Sequence, residues 1–80
     1  MSYTVYILQC CDKSLYTGIA QDLEKRINEH EAGKGSKYVR SRLPVTVVHT
    51  ETAPSKSEAL KREHEIKQMT KVEKLVLVGD

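Results

Sequence analysis

The stretch YTVYILQCCDKSLYTGIA, at residues 3–20, contains two β-type segments separated by a turn. Residues 3–9 and 15–20 are rich in the β-branched and aromatic residues that strands favour, and DKS at 12–14 is typical of a turn. The stretch therefore predicts a β-hairpin. Side chains alternate along a strand, so the inward face of the first strand contains either Tyr6 and Leu8 or Val5 and Ile7.

A helix is expected directly after the hairpin, from about residue 22 to residue 31. Asp22 and Glu24 suit the positive end of a helix dipole, and Gly33 is a typical stop signal. The face that should be buried has residues at i, i+3, i+4 and i+7. Two of these four are cationic or titratable: the set is Leu23, Arg26, Ile27 and His30.

The rest of the chain predicts one more strand and further helical segments. VTVVHT at 45–50 has the composition of a strand, and residues 34–42 form a loop or short helical turn that ends before Pro44. Ser55 and Glu58 have capping-box spacing and open a helix that runs to about residue 68. Thr70 and Glu73 repeat that spacing before a last short helix, although residues 74–78 also fit a strand.

The inward stripe of the helix at 58–68 contains a carboxylate, Glu63, between Ala59 and Ile66. Polar residues on a buried stripe cost free energy unless they are partnered, so they are expected at functional sites. The alternatives are that Arg26 or Glu63 reaches water from the edge of its stripe, or that the two form an ion pair. Together with His30 and the hairpin tyrosines, these residues indicate a site.

Composition excludes several classes of protein. The 80 residues predict one small domain, and the absence of an apolar run of about 18 residues and of a signal-peptide pattern predicts a soluble cytoplasmic protein with no membrane partner. Cys10 and Cys11 are adjacent and cannot readily bridge each other, and alternation predicts one inward and one outward. The histidines lack the spacing of a zinc site, and GKGSK at 33–37 lacks the spacing of a phosphate-binding loop.

A run without acidic residues lies between residues 32 and 42, and it predicts contact with phosphate, with a solvated cationic loop as the alternative. Tyr38 could stack on a base or pack on the core. Gly18 lies inside the second predicted strand, where glycine marks the close approach of a ligand or of a side chain such as Arg26, or a simple kink. The basic residues of the run are Lys34, Lys37, Arg40 and Arg42.

TVY at 4–6 and YTG at 16–18, followed by Arg26, His30 and Glu63, resemble the GIY-YIG nuclease superfamily. The similarity is greatest to its small stand-alone bacterial proteins of the YhbQ/YazA type. Thr4 and Thr17 depart from the family pattern, at strand positions where threonine fits well. The resemblance implies an α/β (α+β) fold with a small three-stranded antiparallel sheet flanked by helices, in the order β-β-α-(short α)-β-α-α, and it favours a helix at the end of the chain.

The resemblance also implies phosphodiester hydrolysis, with DNA as the expected partner. Arg26 would stabilise charge on the phosphate, Glu63 would bind Mg²⁺ or Mn²⁺, and Tyr6 would be the general base, made more acidic by the metal and nearby cations. Tyr16 and His30 would orient the water or the phosphate. Two alternatives remain at this level: a nucleic-acid-binding domain without turnover, and a protein-interaction module in which Arg26 and Glu63 form a structural ion pair. Oligomeric state and substrate stay open.

Overall fold

The computed structural model describes residues 2–79 and contains three strands and four helices. The strands form one antiparallel sheet in the order β2-β1-β3, so the predicted fold class and element order are confirmed. In chain order the elements are β1 (Tyr3–Cys10), β2 (Leu15–Ala20), α1 (Leu23–Glu31), α2 (Lys37–Arg40), β3 (Val45–Ala53), α3 (Lys56–Lys67) and α4 (Lys71–Leu77).

The central strand β1 is buried on both faces. Val5 and Ile7 pack in one cluster with side chains of α3, whereas Tyr6 and Leu8 pack in a second cluster with side chains of α1 and α2. All four side chains are at most 1% exposed. Both inward sets allowed by the sequence are therefore correct, because helices cover both faces of the sheet. This arrangement lets a residue of β1 meet α1 directly.

The hairpin turn between β1 and β2 requires a left-handed residue. Lys13 adopts φ 71°, and the Asp12 carboxylate accepts a hydrogen bond of 3.0 Å from the Ser14 amide. Such a side-chain contact is typical of aspartate in turns. Cys10 is buried and Cys11 is exposed, and neither is in a disulfide, which confirms the predicted alternation.

The third strand is longer than the sequence predicts, since β3 continues to Ala53 instead of ending near residue 50. Its ladder with β1 extends through the pairs Val5–Glu51 and Tyr3–Ala53. A glutamate interrupts the β-branched run and suggests a strand end, but Arg62 of α3 binds the Glu51 carboxylate with hydrogen bonds of 2.8 and 3.0 Å. A contact from a distant helix thus stabilises a residue with low strand propensity.

Each helix begins at a capping residue: Asp22, Ser36, Ser55 and Thr70 accept hydrogen bonds from backbone amides. The structure confirms the terminal segment as helix α4, which the reciprocal capping box of Thr70 and Glu73 opens, so the strand alternative is wrong. The segment between α1 and β3 contains the predicted short helix, α2. Within residues 2–79, no helix combines the length and apolar character that a membrane span requires.

Candidate active site

Tyr6 and His30 meet at the centre of the candidate site. β1 supplies Tyr6 and the last turn of α1 supplies His30, and the Tyr6 hydroxyl lies 3.0 Å from His30 Nε2. Both side chains are buried, with 1% and 0% of their surface exposed. The titratable residue predicted on the inward stripe of α1 is therefore buried, and one of its two ring nitrogens, Nε2, has a partner on β1.

Arg26 and Glu63 act on the same hydroxyl. Arg26 lies one helical turn before His30 and interacts with the Tyr6 hydroxyl through a hydrogen bond and through charge, and the Glu63 carboxylate of α3 also acts on it electrostatically. Burial has the largest effect and raises the pKa of Tyr6, while the Arg26 hydrogen bond lowers it. The protein groups alone therefore do not lower the pKa of Tyr6 as expected, because the effect of desolvation is larger than that of Arg26.

Arg26 and Glu63 do not pair with each other among the described residues. Arg26 lies 3.5 Å from the Glu29 carboxylate, and Glu63 lies 3.5 Å from the Lys67 ammonium group, each within its own helix. Pairs at this distance on partly exposed side chains contribute little to folding. The structural ion pair proposed as an alternative is therefore wrong, and each of the two charges acts on Tyr6 separately.

Gly18 is buried opposite Tyr6 in the β1–β2 ladder. A Cβ atom at residue 18 would lie 2.6 Å from the Tyr6 hydroxyl and 2.7 Å from its ring carbon Cζ. The glycine therefore does permit a close approach, as its position in the strand suggests. The group that approaches most closely is the Tyr6 side chain.

An aromatic column extends from the site towards the basic segment. Tyr16 contacts His30 edge-on, with 5.6 Å between ring centroids, and stacks with Tyr38 at 6.0 Å. The Arg42 guanidinium lies over the Tyr38 ring at 3.8 Å, and its Nε donates to the Asp12 carboxylate at 3.1 Å. Tyr38 and Arg42 therefore pack the basic segment against the hairpin, although 38% of Tyr38 stays exposed.

The other basic residues of this segment, Lys34, Lys37 and Arg40, are exposed to solvent. Lys37 and Arg40 lie on α2 and Lys34 lies in the loop that precedes it. The predicted nucleic-acid-binding set therefore divides into two parts. Three cations project into solvent, and Arg42 and Tyr38 have partners within the protein.

Glu63 has the properties of a ligand for a hard cation held mainly by water. Its side chain is 19% exposed, and its charge influences the pKa of Tyr6. Across residues 2–79, no group of three or more His, Cys, Asp or Glu side chains is arranged to bind a metal. A single carboxylate fits Mg²⁺, which retains several waters, better than it fits Zn²⁺, which takes three or four protein ligands.

Gly35 is a site residue that the sequence did not reveal. A Cβ atom at residue 35 would overlap His30 Nδ1 and lie 2.8 Å from His30 Cε1. In the sequence this glycine stands out only as part of GKGSK, which lacks the spacing of a phosphate-binding loop. The contact could have been found only by placing the loop after α1 against the last turn of that helix.

Comparisons with known proteins agree with this geometry. Residues 2–75 match the family model described as the GIY-YIG catalytic domain. The UPF0213 protein of Natronomonas pharaonis is 53% identical over 95% of this chain and 89% of its own length, and that of Staphylococcus aureus (strain Mu3) is 51% identical over 99% and 96%.

Two solved structures are similar to this fold. The solution structure of the UPF0213 protein from Bacillus halodurans is 46% identical, with a TM-score of 0.64 over 98% of this chain and 83% of that chain. A protein from E. faecalis is 39% identical, with a TM-score of 0.65 over 92% and 79%. The chain therefore belongs to the GIY-YIG family, in its group of small UPF0213 proteins.

Proposed function

We propose that this protein is a metal-dependent endonuclease that hydrolyses phosphodiester bonds in DNA in the cytoplasm, with a role in repair or recombination. The observation that carries the proposal is the buried hydroxyl of Tyr6, which lies 3.0 Å from His30 Nε2 and whose pKa responds to Arg26 and Glu63. A hydroxyl that can act as a base, a permanent cation and a carboxylate are groups that phosphodiester hydrolysis can use. The match to a catalytic-domain model over most of the chain supports the same assignment.

Arg26 supplies the positive charge. Its guanidinium keeps its charge at every physiological pH and presents planar donors that suit phosphate oxygens. Negative charge builds on the nonbridging oxygens during hydrolysis, so a fixed donor there lowers the barrier. The weak contact with Glu29 leaves donors available, because only one guanidinium nitrogen lies near that carboxylate, at 3.5 Å.

Glu63 would hold a Mg²⁺ or Mn²⁺ ion. When bound, the ion would supply positive charge that offsets the negative charge of the phosphate and the leaving oxygen. Glu63 can serve this role without a large loss of folding energy, since its one ion pair, with Lys67, is long and lies at the surface.

Tyr6 is the group that accepts a proton from the attacking water. Burial raises its pKa, so the phenolate is scarce at neutral pH but strongly basic once formed. Arg26 stabilises that phenolate through its charge, and the edge-on contact of Tyr16 with His30 holds the surrounding rings in place. The two hairpin tyrosines of the family pattern thus have different roles. Tyr6 takes part in the chemistry, and Tyr16 positions the surrounding rings.

DNA is held outside this centre by the exposed cations of the basic segment, Lys34, Lys37 and Arg40. Cations that contact phosphates release counterions, so binding through them weakens steeply with added salt. The basic segment follows α1, the helix that carries Arg26 and His30. A DNA strand bound to this segment would therefore pass close to the site.

The test is cleavage of single-stranded, duplex, flapped and branched DNA with Mg²⁺ or Mn²⁺, with matching RNA substrates included. Glu63→Gln removes the metal-binding charge, and Glu65→Gln on the same helix is the matched control, because Glu65 is exposed and lies away from Tyr6. Cleavage that is lost in Glu63→Gln and kept in Glu65→Gln supports the proposal. Salt-sensitive binding without cleavage by the wild-type protein would instead identify a binding module without turnover.

A further inference from the structure

The two ring nitrogens of His30 have different surroundings. Nε2 lies 3.0 Å from the Tyr6 hydroxyl. Nδ1 is buried and, among the residues the structure describes, has no hydrogen-bond partner. The whole side chain is inaccessible to solvent. A neutral imidazole carries its proton on one of these nitrogens, and the choice decides whether His30 donates to Tyr6 or accepts from it.

Gly35 packs against the face of the His30 ring beside Nδ1. A Cβ atom at residue 35 would overlap Nδ1 and would also lie 2.8 Å from Cε1 and 3.0 Å from Cγ. Such short distances to three ring atoms place that Cβ position over the face of the imidazole, so only glycine lets the loop pack on the ring where it lies. A proton on Nδ1 would be a buried donor without an acceptor among the described residues, which proteins rarely contain.

We propose that His30 carries its proton on Nε2, so that His30 is the donor and Tyr6 is the acceptor in their hydrogen bond, and that Gly35 holds the ring in this position. Burial, and after it the charge of Arg26, lowers the pKa of His30, which favours the neutral ring with a single proton. The assignment of the tautomer is independent of the nuclease activity, and its catalytic consequence rests on the proposed function.

The consequence concerns the proton of Tyr6. Its hydroxyl oxygen accepts from His30 Nε2 and interacts with Arg26, so the Tyr6 proton points away from both. When that proton passes to a solvent water, the two donors remain in place and stabilise the phenolate. Nε2 already carries a proton, so His30 does not take the proton of Tyr6. His30 and Gly35 are positioning residues that act through Tyr6.

The first test is imidazole nitrogen NMR on the full chain at neutral pH, without metal or nucleic acid. The expected spectrum of His30 has a protonated Nε2 and an unprotonated Nδ1, assigned by the loss of its signals in His30→Gln. His49 and His64 provide internal references. Detection of the Nδ1–H tautomer, or of a doubly protonated ring, would overturn the proposal whether or not the protein cleaves DNA.

The second test separates a donor from a proton acceptor. Glutamine at residue 30 can place an amide N–H near the position of Nε2 but cannot accept a proton at neutral pH, and leucine can do neither. We expect His30→Gln to retain kcat within about tenfold and His30→Leu to lose about 10²-fold, with KM nearly unchanged in both. Equal loss in the two variants, with both folded by circular dichroism, would contradict the donor role.

The third test addresses Gly35. Gly35→Ala places a methyl group against the His30 ring, and we expect the Nε2–Tyr6 contact to break, with a fall in kcat of about tenfold or more. Glu31→Ala, at an exposed position at the end of α1, should leave kcat nearly unchanged. Combining Gly35→Ala with His30→Gln should restore part of the loss, because the flexible amide can move away from the methyl group. An alanine variant whose His30 nitrogen signals and kcat match the wild type would refute the role of Gly35.

Discussion

The Tyr6 side chain lies over Gly18, the residue paired with it in the β1–β2 ladder, and fills the space that a side chain at residue 18 would occupy. The position of the hydroxyl at the centre of the site therefore depends on a missing side chain in the neighbouring strand. This relationship links the two halves of the family pattern, since one half supplies the tyrosine and the other supplies the glycine beneath it.

Gly18→Ala is expected to lower the free energy of unfolding by about 1–3 kcal/mol, because the new methyl group overpacks a buried site. It should also displace the Tyr6 hydroxyl and reduce cleavage. Urea denaturation of Gly18→Ala, Tyr6→Ala and the double variant measures the coupling between the residues. The alanine at 18 should cost much less stability when Tyr6 is already truncated, and an equal cost in both backgrounds would show that Tyr6 is not the group it meets.

Arg26→Ala and Arg26→Lys are both expected to reduce kcat by about 10²-fold or more, because lysine lacks the planar donors that can serve Tyr6 and a phosphate oxygen together. Lys25→Ala is the matched control, since Lys25 is exposed and adjacent on α1. Single-turnover cleavage measures the effect. Full activity in Arg26→Lys would show that any positive charge suffices and that the geometry of the guanidinium is unimportant.

Much of this site could be predicted from the sequence because its key relationships are local or periodic. Arg26 and His30 are four residues apart, so helical spacing alone puts them on one face. Tyr6 and Gly18 come from one hairpin, whose strands are joined by a recognisable turn. Of the polar residues predicted on inward stripes, His30 is buried against Tyr6, and Arg26 and Glu63 influence the pKa of Tyr6, which fits the expectation that buried polar groups have partners.

The contacts that the sequence did not reveal join segments whose relative placement no local pattern fixes. Gly35 meets His30 only because the loop after α1 folds back on that helix. Arg62 meets Glu51 across eleven residues and extends β3 beyond its predicted end. The charged neighbours of Tyr6 can be inferred from the sequence, and they predict a lowered pKa. The sequence does not show that helices cover both faces of β1, so it does not predict the burial that raises the pKa of Tyr6.

The contact of Glu51 with Arg62 and His49 predicts an acid-sensitive stability. Hydrogen bonding to Arg62, opposed by burial and aided by His49, lowers the pKa of Glu51 below its ordinary value of 4.5. The folded state therefore binds this proton less tightly than the unfolded state. The stabilisation is complete well above pH 4.5 and is lost as the pH falls below 4.5 through the folded-state pKa.

We expect Glu51→Gln to reduce the free energy of unfolding at pH 7 by on the order of 1 kcal/mol and to make it less dependent on pH in the acid range. Urea denaturation between pH 3 and pH 7 measures both effects. Glu24→Gln, an exposed carboxylate on α1, is the control and should keep the acid dependence of the wild type. If the loss of stability at acid pH is the same in Glu51→Gln as in the wild type, other carboxylates account for it.

The two parts of the basic segment should behave differently when DNA binds. Replacing Lys34, Lys37 and Arg40 with glutamine removes three exposed cations. If each cation neutralises a phosphate, the slope of log K against log salt becomes shallower by about 0.7–0.9 for each cation removed. Arg42→Gln should leave the slope nearly unchanged, because Asp12 already pairs with that charge, and should instead loosen the packing of Tyr38 on the hairpin.

Binding is measured by fluorescence anisotropy in the Glu63→Gln background without added metal, so that cleavage does not deplete the DNA. Titrations at several salt concentrations give the slope for the triple variant, for Arg42→Gln and for the parent. The change of slope in the triple variant, divided by three, gives the effect of one cation. If the slope of Arg42→Gln changes by that amount, Arg42 leaves Asp12 and contacts phosphate itself. An unchanged slope in the triple variant would remove the segment from the DNA-binding surface, since exposed cations that touch no phosphate release no counterions.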